Sequence, residues 1–144
     1  MTMRDIGALV VDDFADTRKV VKGVLRRMGV REIFEAADGL EALGILSGRD
    51  EHEQPVVHNI QLVVCDILMP RMNGLELLKE IRSSDAFKDL TFIMITADRT
   101  EKSILESVKL GADAFVVKPY TLQILEDKIR EALKRRGRRA PNFG

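Results

Sequence analysis

Short apolar runs recur along the chain at a regular pace. They are Ile6–Val11, Ile33–Ala37, Leu62–Cys65, Phe92–Ile95 and Ala114–Val117. Each spans four to six residues, most of them β-branched, aromatic or Leu, and none alternates strictly with polar residues. Ile33–Ala37 is the weakest, with Glu32 before it and Glu35 within it. Runs of this kind predict strands covered on both faces, as in a parallel sheet. Between them the apolar positions change to a helical period. Val20, Val21, Val24, Leu25 and Met28 share a stripe over 16–28, and Leu40, Leu43 and Leu46 another over 39–47. Leu75, Leu78 and Ile81, backed by Leu77, mark 73–82. Ile104, Leu105 and Val108 mark 100–110, with Gly111 as C-cap. Leu122, Leu125, Ile129 and Leu133 mark 121–135. Five strands alternating with five helices predict an α/β doubly wound domain.

Length and composition agree with one such domain. The chain has 144 residues, 45% of them apolar, enough for a core. The 23 basic and 23 acidic residues cancel, which argues against a dedicated nucleic-acid or membrane protein. The cancellation hides an asymmetry, because residues 134–144 hold five basic residues and no acid. The body before them is mildly acidic. The run 134–139 is expected to be a solvated helix end, favoured by the helix dipole, with weak contact to an acidic partner or nucleic acid as the functional alternative. A basic tail is expected over 137–144. A single cysteine, Cys65, excludes an intrachain disulfide or a Cys-based zinc site and reads as a small buried hydrophobe. No apolar run approaches the ~18 residues of a membrane span, and no signal-peptide region follows Met1, so a cytoplasmic location is expected. The connection 48–60 is long and charged and carries His52, Pro55 and His58. Both histidines read as solvated loop residues.

The chemistry gathers at the ends of the apolar runs. The first ends in Asp12-Asp13, the third in Asp66, the fourth in Thr96-Ala97 and the fifth in Lys118-Pro119. In an open parallel sheet the ligand site lies at the carboxyl ends of the strands, where the strand order reverses. A reversal beside the first strand would bring three carboxylates, a hydroxyl and an ammonium into one cleft. Three close carboxylates want a cation, and the all-oxygen set suits Mg²⁺. One carboxylate could then attack phosphorus, with the metal, Lys and hydroxyl stabilising the phosphoryl oxygens. No histidine is placed there as a strong general base, so phosphoryl transfer onto Asp fits better than rapid hydrolysis.

In this combination the chain resembles the receiver domains of two-component response regulators, over about residues 5–136. The motifs are Val10-Val11-Asp12-Asp13, Asp66-Ile67-Leu68-Met69-Pro70 with Asn73-Gly74, Ile95-Thr96-Ala97, and Val117-Lys118-Pro119. The resemblance implies a flavodoxin-like, five-stranded sheet in the order 2-1-3-4-5, with a receiver domain over 1–136. It implies Asp66 as phosphoacceptor, Asp13 as direct Mg²⁺ ligand, Asp12 acting on the ion through water, and the Leu68 carbonyl completing the set. Thr96 and Lys118 would contact the phosphoryl group, a cis Lys118-Pro119 bond would aim the Lys inward, and Ala97 would leave access for the donor. Phe115 takes the position of the switch aromatic.

The function implied is that of a stand-alone receiver, not an enzyme acting on an outside substrate. It would be phosphorylated by a histidine kinase or a histidine phosphotransfer protein and signal by binding a target through its helix 4–strand 5–helix 5 face. A phosphorelay intermediate is the alternative use. An inert pseudo-receiver is opposed by the intact acidic set. A haloacid-dehalogenase-like phosphatase would need an acid where Leu68 stands, and a flavodoxin would need a phosphate loop where Asp12-Asp13 stands. Of the two positions that handle an attacking water in that family, Leu68, two residues after the acceptor, cannot hydrogen-bond it, and Asp98, two after Thr96, would repel an anionic donor or nucleophile.

Overall fold

The apolar runs become strands because their apolar side chains find cover on both faces of the sheet. In the computed structural model, which describes residues 2–50 and 52–139, they form β1 (Gly7–Val11), β2 (Glu32–Ala36), β3 (Ile60–Cys65), β4 (Thr91–Thr96) and β5 (Ala114–Val117). All pair in parallel in the order β2-β1-β3-β4-β5. The helices are α1 (Ala15–Arg27), α2 (Gly39–Leu46), α3 (Gly74–Ser83), α4 (Glu101–Lys109) and α5 (Leu122–Arg139), and a 3-10 turn at Met3–Asp5 precedes β1. The expected fold class, strand order and helix number are therefore those of the molecule.

Alternate residues of each strand feed two separate cores. Ala8, Val10, Leu62, Val64, Ile93 and Ile95 face α1 and α5, meeting Val21, Leu25, Leu125 and Ile129. Leu9, Val11, Val63, Cys65, Phe92 and Met94 face the other way, meeting Ala42, Leu77, Leu78 and Ile81 of α2 and α3. A two-sided core accounts for the missing polar alternation. The edge strand β2 is the exception. Its exposed Glu35 takes salt bridges from Arg18 and Lys22 of α1, and charge of this kind blunts an open sheet edge. On α4, Ser107 is the only buried residue. Among the described residues no helix is long and apolar enough to cross a membrane.

Three expectations are corrected. α5 does not stop at Arg135 but runs through Gly137 to Arg139. Residues 140–144 of the basic tail lie outside the described residues. Arg136 is not solvated, although Arg135 is exposed as expected. Arg136 lies 2.7 Å from the buried carboxylate of Asp113, and Arg135 donates to the Asp113 carbonyl. Arg82 of α3 reaches the same carboxylate at 3.0 Å, so one Asp ties the ends of α3 and α5 to the start of β5. Finally, His58 is half-buried rather than solvated. Its Nε2 lies 3.0 Å from the Leu46 carbonyl and its Nδ1 accepts the Ile60 N–H, which together seat the 48–60 connection on the end of α2. Within that connection Arg49 and Pro55 form an antiparallel bridge around a turn stabilised by Asp50.

Candidate functional site

Strand register decides which carboxylates meet. Val11 pairs with Cys65, so the residues that follow, Asp12 and Asp66, emerge side by side. Thr96 pairs with Val117, which brings Lys118 to the same edge. The Lys118 ammonium lies 2.9 Å from Asp66 Oδ2 and 3.3 Å from Asp12 Oδ2. The Lys118–Pro119 peptide bond is cis. The Phe14 N–H donates to Asp12 Oδ1 at 2.9 Å, and the Leu68 N–H to Asp66 Oδ1 at 3.3 Å.

Both carboxylates are buried, Asp12 at 4% and Asp66 at 9% exposure. Burial raises the Asp12 carboxyl above its ordinary range, against the opposing pull of the Phe14 N–H and Lys118. Burial alone would pull Lys118 down. The hydrogen bond and charge of Asp66, joined by Asp12, outweigh it and hold the ammonium above its usual value. Two carboxylates therefore share one ammonium, leaving an excess negative charge in a water-poor cleft. That excess, with oxygen donors throughout, fits a hard divalent cation. Asp13 stands exposed beside them, and among the described residues no group of three carboxylates, imidazoles or thiols has closed into a metal cage. Asp13 would have to turn inward to join. Cys65 is fully buried, and burial pushes its thiol well above its ordinary value, consistent with the inert hydrophobe expected.

The other expected residues surround this centre. The Thr96 hydroxyl is buried and accepts the Asp98 N–H at 3.2 Å. Phe115 is half-buried and packs against the core on the α2–α3 side. Leu68 is 65% exposed on the rim, with Phe14 at 66%. Asp98 turns away: it accepts the Thr100 N–H and the Ser103 hydroxyl, beside Thr100, which caps α4.

The loop after Asp66 is shaped by Asn73 and Gly74 of the motif and by Arg71 and Glu76, to which sequence reasoning gave no role. Gly74 opens α3 where a Cβ would collide with the Asp66 carbonyl oxygen, so the backbone of Asp66 requires glycine there. Asn73 and Glu76 cap α3 reciprocally. Arg71 adopts a left-handed backbone, φ 63°, and its guanidinium lies 2.6 Å from the buried Asp38 carboxylate at the N-terminus of α2. The Pro70-to-Gly74 turn signature could have flagged that loop, but no local signal pairs positions 33 residues apart.

The sequence profile described as "Response regulator receiver domain" matches residues 8–130. The chemotaxis protein CheY of Pseudomonas aeruginosa is 36% identical over 129 residues, covering 88% of this chain and 95% of that protein. A CheY-like receiver domain protein from Methanospirillum hungatei superposes with a TM-score of 0.79 at 27% identity, covering 94% of this chain and 98% of that one. CheY of Borrelia burgdorferi, solved in complex with CheX, BeF3 and Mg²⁺, is 31% identical with a TM-score of 0.74, covering 86% of each chain. Register, charge and likeness agree, and the chain belongs to the response regulator receiver-domain family.

Proposed function

We propose that this receiver accepts a phosphoryl group on Asp66 from a histidine kinase or a histidine phosphotransfer protein and works in chemotaxis-type signalling. The observation that carries the reading is the Lys118 ammonium held between Asp66 and Asp12 at the carboxyl ends of adjacent strands. An Asp66 carboxylate oxygen attacks phosphorus as the phosphorus–nitrogen bond of the donor phosphohistidine breaks. The leaving imidazole nitrogen takes a proton, and Asp66 is left as an acyl phosphate. Mg²⁺, held by Asp12, Asp13, Asp66 and the Leu68 carbonyl, would neutralise charge on the phosphoryl oxygens. Lys118 follows the charge from the carboxylate to a phosphoryl oxygen. Thr96 releases the Asp98 N–H and donates its hydroxyl to another. That movement vacates space into which the Phe115 ring turns, so a local charge change repacks a two-state element. The Borrelia complex with Mg²⁺ and CheX supports both the ion and a protein partner. Exposed apolar side chains on α4 (Leu105, Val108) and early α5 (Leu122, Ile124) support partner binding through the α4–β5–α5 face.

Intact-mass analysis after incubation with acetyl phosphate and Mg²⁺ tests the proposal. One phosphoryl adduct is expected, lost in Asp66→Asn and in a chelator. A wild-type protein that stays unmodified refutes it.

A further inference from the structure

Among the described side chains most arginines are matched to acid. Arg18 lies on Glu35, Arg71 on Asp38, and Arg82 and Arg136 on Asp113. Four lack such a match: Arg99 donates to the Lys118 carbonyl instead, and the other three stand together. Arg4 in the 3-10 turn, Arg26 in the last turn of α1, and Arg31 between α1 and β2 line one open concavity, floored by Gly29 and Val30. All three are exposed, and among the described residues no salt bridge reaches any of them. The acids nearest in sequence are turned to other tasks. Asp5 Oδ2 accepts the Thr2 N–H and hydroxyl and meets Arg4 only through the field of its charge. Glu32 Oε1 accepts the Asn59 N–H. Gly29, at φ 103°, brings no side chain to fill the floor. A cation at the end of α1 favours the helix dipole and would account for Arg26 alone, but not for Arg4 and Arg31 from two other segments.

We propose that the concavity of Arg4, Arg26 and Arg31 binds a short run of Asp and Glu side chains on a partner protein. The site lies at the amino ends of β1 and β2, across the sheet from Asp12 and Asp66. It therefore leaves both the phosphoacceptor cleft and the α4–β5–α5 face free. Guanidinium forks match carboxylates in charge and plane. Nucleic acid fits less well. No aromatic side chain lines the concavity for stacking.

The probe is a fluorescent octaglutamate peptide, titrated with the full chain at low ionic strength and followed by anisotropy. Saturable binding is expected, weakened roughly tenfold in Arg4→Gln/Arg26→Gln/Arg31→Gln, the sum expected of three exposed ion pairs. The matched variant Lys79→Gln/Lys102→Gln/Lys128→Gln, with the same change of net charge, should bind within about twofold of wild type. On the unmutated chain, amide NMR shifts caused by the peptide should centre on residues 3–5 and 26–32. Absence of saturable binding, equal loss in both triple variants, shifts centred elsewhere, or tighter binding of a single-stranded oligonucleotide of equal charge would each overturn the proposal.

Discussion

Asp66 and Leu68 show how much chemistry two positions can divide. Asp66, the proposed acceptor, is buried against Lys118, whereas the side chain two residues later is an exposed hydrocarbon with no group to orient a water. Asp98, the other position able to act on such a water, spends its carboxylate on the first turn of α4. Hydrolysis of the acyl phosphate therefore lacks a positioned general base. The phosphorylated protein is expected to outlast seconds, and Leu68→Asn to shorten its lifetime. Loss of radiolabelled phosphoryl from the purified protein reads both, and a wild-type half-life of seconds contradicts the argument. The carboxylates around the site are not equivalent either. Asp12 is raised by burial, while Asp98 is lowered by the Ser103 hydroxyl and the Thr100 N–H it accepts.

At the scale of elements, ion pairs do two kinds of work. Glu35 on β2 is held below the ordinary carboxylate range, first by the hydrogen bond from Lys22 and then by Arg18. A depressed carboxyl stabilises the fold above its unfolded value and loses that contribution as pH falls through its folded one. Glu35→Gln should therefore cost about 0.5 kcal/mol near neutrality, a modest figure because the pair is solvent-screened, and nothing in strong acid. Urea denaturation of both proteins across that range checks it. Asp113 works differently. Its carboxylate is buried and accepts Arg82, Arg136 and the Phe92 N–H, while Arg82 also donates to the Gly111, Lys88 and Leu90 carbonyls. Asp113→Ala would strand two guanidiniums that are themselves mostly buried, at a cost of about 3–5 kcal/mol in denaturant unfolding. A loss under 1 kcal/mol would show that solvent reaches the pair.

For the whole molecule, what could be read from the chain divides by distance along it. Strand and helix positions are local patterns, and β1, β3, β4 and β5 lie within two residues of the apolar runs that predict them. The meeting of Asp12, Asp66 and Lys118 was legible because each directly follows the end of a strand, and parallel topology gathers strand ends. Long-range partners were not legible. Arg136 looks like any basic helix terminus until Asp113 is folded against it, and His58 like any loop histidine until the Leu46 carbonyl arrives. The same contacts explain why α5 outran its expected end, since Arg135 and Arg136 anchor the turn before Gly137.

One asymmetry has a dynamic consequence. α3 buries Leu77, Leu78 and Ile81, whereas α4 buries only Ser107 and leaves Leu105 and Val108 half or more exposed. The free energy of local opening follows such anchoring. Amide hydrogens of α4 should exchange through a sub-global opening well below the cost of global unfolding, while those of α3 exchange only near the global limit. Mass-resolved exchange on the unphosphorylated protein would show it, and equal protection of the two helices would exclude it. A receiver built this way can rewrite the surface its partners read at the expense of one weakly held helix, with the sheet that carries the chemistry left in place.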